Sequence, residues 1–263
     1  MGLVGWARPR PAGRTPADGR VHDRVGAGRR NDGDDEEVAR PRSARAAAAG
    51  ARTEGAGVGV STGTAPFEWA VASRPRAGED VSGDAAVVSS AEDVFLVAVV
   101  DALGHGPEAA ATAVVACSAL HAFAGEEVTA ALERCHERLR GTRGAAVSAA
   151  RYSPTSAELA WAGVGNVEAL LFRGVGPRTR PSEALLLQPG TVGAGLPRLR
   201  SARFRVRRGD VLLVATDGID SGFADWLDTS GSPQQVVDRI LVRDGRESDD
   251  ALVLAARLLG ADA

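Results

Sequence analysis

Lysine is absent from this 263-residue chain, so arginine carries all 31 of its basic charges. Together with the abundance of alanine and glycine, that absence reads as base bias in the coding genome and excludes no function. Cysteine is nearly absent too: Cys117 and Cys135 stand alone, in helical stretches and without CxxC spacing. Neither a disulfide framework nor a zinc site fits two such residues, and a reducing compartment is expected. Long apolar runs are also missing. No segment approaches the roughly 18–20 apolar residues of a membrane span, and the Arg- and Pro-rich start lacks the apolar core of a signal peptide. The expectation is a cytoplasmic protein with no membrane partner.

Apolar side chains make up 44% of the chain, enough for one full core but short of two large domains. Charge is unevenly split. Residues 1–52 hold eleven arginines against seven acids, whereas residues 53–263 hold twenty against twenty-seven. An acidic body argues against a nucleic-acid groove and suits cation binding. Residues 1–56 show no sustained apolar period and contain an acidic knot from Asp32 to Glu37. A segment of that kind buries too little apolar surface to offset its ordering entropy. It is expected to be disordered, or to be coding sequence upstream of the true start; a basic arm that docks a partner or binds nucleic acid is the alternative. Residues 57–263 are expected to form the folded domain.

Within that domain, FEWAVASR alternates like a strand, and VSGDAAVVSS with DVFLVAVVD reads as two strands joined by a turn around Ser89–Asp93. Pro107 suits a helix start, with the helix running to Gly125, and a second helix is expected over about 126–140, closing at Gly141. GAAVSAARY, SAELAWAGVG and VEALLFRG follow as strands, with GVGNV at 163–167 as a hairpin turn. That glycine-rich stretch leads into a strand, so no helix N-terminus is available to cradle a phosphate. PGTVGAGLP at 189–197 is expected to be a flexible loop bordering the active site, and Trp161 to be core. RFRVRRGDVLLVATDG is expected to form another hairpin, turning at Arg208–Asp210. SPQQVVDRILVRD reads as a helix capped by Ser232 or Ser230, and ALVLAARL as the last strand. Helices beside hairpin-rich strands make an α+β domain in which antiparallel sheets carry helices on their outer faces.

Three well-separated segments join an apolar run to an acidic turn: VAVVDALGHG at 97–106, LLVATDGIDSGF at 212–223 and ESDDALVLAAR at 247–257. A carboxylate at a strand end is fixed in direction yet open to solvent, and a following glycine lets backbone and ligand approach. Asp84 in VSGDAAVV, Asp101, Asp217, and Asp249 with Asp250 are placed that way. Any one of them alone reads as a turn or cap residue. Gathered together they would make an oxygen-only site, which prefers hard cations such as Mg²⁺ or Mn²⁺ over zinc.

The stretches EWAVASRPRAGEDVSGDAAVV (68–88), DALGHGPEAA (101–110), LRGTRGAAVSAAR (139–151), WAGVGNVEALLFR (161–173), GDVLLVATDGIDSGF (209–223) and SDDALVLAAR (248–257) carry a resemblance. In this ordered set the chain resembles the PPM (protein phosphatase 2C-like) metal-dependent protein serine/threonine phosphatases of the bacterial SpoIIE-type branch, particularly small stand-alone members of the RsbX kind. The resemblance covers nearly everything from about 67 to 258. It implies a four-layer α-β-β-α sandwich and two Mn²⁺ or Mg²⁺ ions. It implies metal ligation by Asp84, by Asp101 as the bridging residue, by the Ala102 carbonyl, and by Asp217 and Asp249, with turnover resting on Asp101 and Asp217. It further implies, as substrate and partner, a phosphorylated STAS-domain regulator, an anti-sigma-factor antagonist or stressosome subunit, in the control of stress gene expression.

Hydrolysis of a phosphate monoester requires barrier lowering on the order of 20 kcal/mol or more. Two divalent ions about 4 Å apart supply much of this by acidifying a bridging water and neutralising phosphoryl charge. One departure from the family pattern is Ala102, where glycine is usual; alanine serves there unless the backbone needs a positive φ. That departure favours the alternative of a catalytically weak, phosphatase-like binding module. His105 has two readings, as proton donor to the leaving serine oxygen or as a turn residue bonded to backbone. Arg74 and Arg76 read as solvated loop residues, with contact to substrate phosphate as the alternative. His22, His121 and His136 read as tail or helix-surface residues.

Overall fold

The computed structural model describes residues 58–59, 66–177 and 179–259. The expectations for residues 1–56, His22 among them, lie outside the described residues.

In chain order the strands are β1 (Val58–Gly59), β2 (Phe67–Arg74), β3 (Asp84–Ala91), β4 (Val94–Ala102), β5 (Ala145–Ser153), β6 (Glu158–Val164), β7 (Glu168–Phe172), β8 (Pro181–Ala184), β9 (Ala202–Arg205), β10 (Val211–Ala215) and β11 (Ala251–Leu258). The helices are α1 (Gly106–Ala122), α2 (Val128–Leu139), the single turn α3 (Phe223–Trp226) and α4 (Pro233–Asp244). One sheet runs β1-β3-β4-β5-β6-β9 and the other β2-β11-β10-β7-β8. Pairing is antiparallel throughout except for β1 beside β3.

The central strands are apolar on both faces because both faces are covered. In β4, Leu96, Ala98, Val100 and Ala102 pack towards α1 and α2, while Val97 and Val99 enter the layer between the sheets. In β11, Leu252, Leu254 and Ala256 enter that same layer, and Val253 and Ala255 pack towards α4. Four layers result, α-β-β-α, as the resemblance implied. Trp161 is fully buried between the sheets, its indole N–H donating to Ser148 Oγ at 3.2 Å. Helix α2 buries Val128, Ala131, Leu132, Cys135 and Leu139, the spacing of one helical face. Helix α4 starts at a capping box: Ser232 Oγ accepts from the Gln235 amide, and the Gln235 side chain accepts from the Ser232 amide.

Both cysteines are free and buried on the helix side of the first sheet, and burial pushes each thiol up to about 12. At such values they stay protonated and unreactive.

Two expected hairpins are corrected. GVGNV does not fold β6 back on β7, and the turn at Arg208–Asp210 does not fold β9 back on β10; in each case the strands lie in different sheets. The first connection crosses at Gly165, whose φ of +94° favours glycine, and Val167 then enters the layer between the sheets. At the second, buried Asp210 accepts from the Arg173 guanidinium at 2.8 Å, the Gly174 amide at 3.1 Å and the Arg207 amide at 3.0 Å, which anchors a corner between layers. The strand patterns agree with separation. Strand β9 alternates exposed and partly buried residues as an edge does, whereas β10 is buried at every position.

Two histidines on helix surfaces, exposed His121 and half-buried His136, also make bonds between elements. His136 Nδ1 accepts from the Gly193 amide at 2.9 Å, and Val192 exchanges two 2.9 Å backbone bonds with Ala145, so residues 189–197 are tied to α2 and β5. His121 Nδ1 lies 2.8 Å from Ser89 Oγ, joining α1 to β3.

Candidate metal centre

Strand polarity brings the acids together. Because β3 and β4 are antiparallel, the first residue of one faces the end of the other, and Asp84 pairs in register with Asp101. In the second sheet β10 ends where β11 begins; Asp217 follows the one, and Asp249 and Asp250 precede the other.

Thr216 ties the two strand ends across the layer between the sheets. Its hydroxyl donates to Asp84 Oδ2 at 2.7 Å and accepts from the Leu252 amide at 2.9 Å, all three groups being buried. Gly218 lies so close to the Asp250 carbonyl that a Cβ would collide with it, which requires glycine in the TDG turn. Arg246 braces the same turn: its amide donates to the Gly218 carbonyl at 2.8 Å, and its guanidinium reaches the Asp217 carbonyl and Asp220 Oδ2, each at 3.1 Å.

The DD pair divides. Asp250 is buried and spends both oxygens on backbone, accepting from the Arg76 amide at 2.8 Å and the Gly83 amide at 2.7 Å. It fastens the 76–83 segment beneath the site. Asp249 is exposed and accepts only from the Asp250 amide, at 2.9 Å, which leaves oxygen lone pairs for a ligand.

Ala102 is buried at the end of β4, its amide donating to the Gly83 carbonyl at 3.1 Å. Among the described non-glycine residues only Glu92 and Ala157 have positive φ, so alanine is unstrained at 102. His105 bonds a side chain in place of the expected backbone partner: its Nδ1 lies 2.6 Å from Glu79 Oε1. Arg74 is a strut, donating to the Gly245 carbonyl at 2.9 Å, and Arg76 contributes its amide to Asp250.

Electrostatics distinguish this cluster from ordinary turn acids. Burial, then the charge of Asp101, pushes Asp84 up to about 8, against a lowering bond from Thr216. Burial, then Asp217, Asp249 and Asp250, pushes Asp101 up to about 7, against a lowering bond from Asn166. Among the described residues none of the five aspartates forms an ion pair with arginine or histidine. Nor do three His, Cys, Asp or Glu side chains among them close around one point as a finished cage. Carboxylates that repel one another, form no ion pair and offer only oxygen fit a hard divalent cation.

Sequence reasoning missed Thr216, Asn166, Glu79 and the separate duty of Asp250. Asn166 carried a signal, being one of two asparagines in the chain. Its amide donates to Asp217 Oδ2 at 2.7 Å. A surface hollow of about 410 Å³ on α4, lined by Trp226, Asp238, Arg239, Val242 and Arg243, contains none of these residues.

Comparison with known proteins places the chain among relatives. The family described as stage II sporulation protein E (SpoIIE) matches residues 91–259. The phosphoserine phosphatase RsbX of Bacillus subtilis is 23% identical over 143 residues, 54% of this chain and 70% of that protein. A structure from work on the bacterial stressosome as a modular system adapted to control secondary messenger signalling is 30% identical, with a TM-score of 0.65 over 73% of this chain and 99% of that one. The crystal structure of RsbX in complex with magnesium is similar at 20% identity and a TM-score of 0.62, over 73% and 95% of the two chains.

Proposed function

The chain belongs to the SpoIIE-type family of PPM protein phosphatases, and on that premise we propose that it hydrolyses phosphoserine or phosphothreonine on a STAS-domain regulatory protein with the help of Mn²⁺ or Mg²⁺. The observation that carries the reading is the Asp84–Asp101 pair. A buried and a half-buried carboxyl face each other across adjacent strands, both raised into the neutral range, with no cation of the protein's own beside them.

Asp84, Asp101, Asp217 and Asp249, with the Ala102 carbonyl, would hold two ions. When bound, the metal pair supplies an acidified water and neutralises charge on the phosphoryl oxygens. The chain's own groups orient the ligands. Thr216 fixes the Asp84 carboxylate, Asn166 fixes that of Asp217, and Asp250 holds the segment from which β3 enters the site. His105, held through Nδ1 by Glu79, keeps its other ring nitrogen for a proton.

The substrate class takes its support from the relatives: RsbX is a phosphoserine phosphatase, and the 30% identical structure comes from work on the bacterial stressosome. The reading puts the protein in the cytoplasm, where such regulators act, and makes residues 57–263 the catalytic domain. Among the described residues no helix is long and apolar enough to cross a membrane. The docking-only alternative rested on Ala102, which adopts no strained conformation.

Manganese-dependent hydrolysis of p-nitrophenyl phosphate tests the reading. Activity in the wild type that falls to background in Asp101→Asn and Asp217→Asn supports it. An inert wild type, or undiminished variants, would leave a binding module.

A further inference from the structure

The chain segregates its positive charge. Between Glu183 and Asp210 it has no acidic residue, yet Arg198, Arg200, Arg203, Arg205, Arg207 and Arg208 fall within eleven positions. All six are exposed, while Leu199, Ala202, Phe204 and Val206 between them are partly or fully buried. The segment contains β9, an outer strand that pairs with β6 alone. Along extended chain, Arg198 to Arg207 covers up to about 30 Å.

Two of the six are engaged. Arg203 pairs with Glu158 at 2.6 Å and Glu127 at 2.8 Å, and Arg208 donates to the Leu259 carbonyl at 2.9 Å. Among the described residues the guanidinium groups of Arg198, Arg200, Arg205 and Arg207 have no carboxylate partner. Four unneutralised cations along one edge repel one another. The row also starts near the aspartates. Gln188 accepts from the Arg200 amide at 2.8 Å and donates to its carbonyl at 3.0 Å. The Gln188 backbone bonds Gly163 and Gly165, and the next residue, Asn166, donates to Asp217.

We propose that the row from Arg198 to Arg207 is a docking track for an acidic protein surface, and that the phosphoprotein substrate occupies it. The occupant is the part that rests on the phosphatase reading. Residues 53–263 carry seven more acids than arginines, so they repel an acidic phosphoprotein at long range. A basic row beside the site supplies local attraction and sets orientation. Nucleic acid fits less well, since Phe204, the one aromatic residue in the segment, turns inward against Trp161 and offers no stacking platform. A lipid surface fits less well too, because no large apolar side chain is exposed among these arginines.

The test compares wild type with Arg198→Glu/Arg200→Glu/Arg205→Glu/Arg207→Glu, and with the milder Arg205→Ala/Arg207→Ala in case charge reversal disturbs β9. The probes are the acidic phosphoprotein casein, p-nitrophenyl phosphate, and fluorescent polyglutamate with the protein free of added metal. The quadruple variant is expected to raise KM for casein about tenfold with kcat retained, to leave p-nitrophenyl phosphate kinetics unchanged, and to lose polyglutamate binding. Rising NaCl should erase the difference between wild type and variant. Equal KM values for casein, or undiminished polyglutamate binding by the variants, overturn the proposal. So does tighter binding of a DNA oligonucleotide than of polyglutamate at the same salt. A wild type inert towards p-nitrophenyl phosphate overturns the phosphatase reading and the choice of occupant, while the polyglutamate measurement still decides whether the track exists.

Discussion

Thr216 makes the bond on which the arrangement of acids most depends, since it reaches from one sheet to a carboxylate on the other. Replacing it with valine keeps the volume but removes the donor to Asp84 and leaves the buried Leu252 amide without its acceptor. Thr216→Val is expected to weaken Mn²⁺ binding by about 10–100-fold in calorimetric titration, with Thr216→Ser restoring most of it. A variant that binds as wild type does would show that Asp84 needs no orientation. Residues of this kind are the least legible in sequence. Asp84, Asp101, Asp217 and Asp249 announce themselves because a charge beside an apolar run is conspicuous. Thr216 and Glu79 look like ordinary turn residues until partners 132 and 26 positions away are brought to them.

At the scale of elements, local chemistry was readable where it is self-contained. Pro107 starts α1, and the serine–glutamine box at 232–235 starts α4. Ser232→Ala is expected to lower stability by about 1 kcal/mol, read as a shift in urea midpoint, and to leave metal affinity unchanged because Ser232 caps the end of α4 opposite the one that meets the Asp217 turn through Asp244 and Arg246. A loss well below that would mean the cap adds little to tertiary packing. Pairing was less readable. Strands buried on both faces, such as β6, β7 and β10, carry no alternation to mark which neighbour they choose, so two short connections look like hairpins in the sequence. Asp210 and Gly165, at the corners where the chain changes sheet, decide the matter through contacts that appear only after folding.

For the whole molecule, the acidic cluster makes stability depend on pH and cation together. Asp84 and Asp101 titrate near 8 and 7 when folded, far above ordinary carboxylates, so the folded state holds more protons than the unfolded one at intermediate pH. Stability of the metal-free protein should therefore be highest below the ordinary carboxylate range, under about pH 4, with respect to these groups, fall as pH rises to about 8, and level off beyond it. At pH 7 the Asp84 carboxyl alone costs the fold on the order of 4 kcal/mol. Divalent cations reverse the trend, because they bind the ionised form; at 100 times Kd they add about 2.7 kcal/mol. Thermal melts with and without Mn²⁺ should diverge more at pH 8 than at pH 6. Parallel curves would mean that the ions bind elsewhere.

The pairing of Asp84 with Asp101 has a practical consequence for anyone who trims this protein. The family match begins at residue 91, downstream of Asp84 and of β2, which forms the border of the second sheet beside β11. A truncation cut at that point would discard one of the acids and strip a neighbour from β11. Expression boundaries for this chain therefore belong upstream of Phe67.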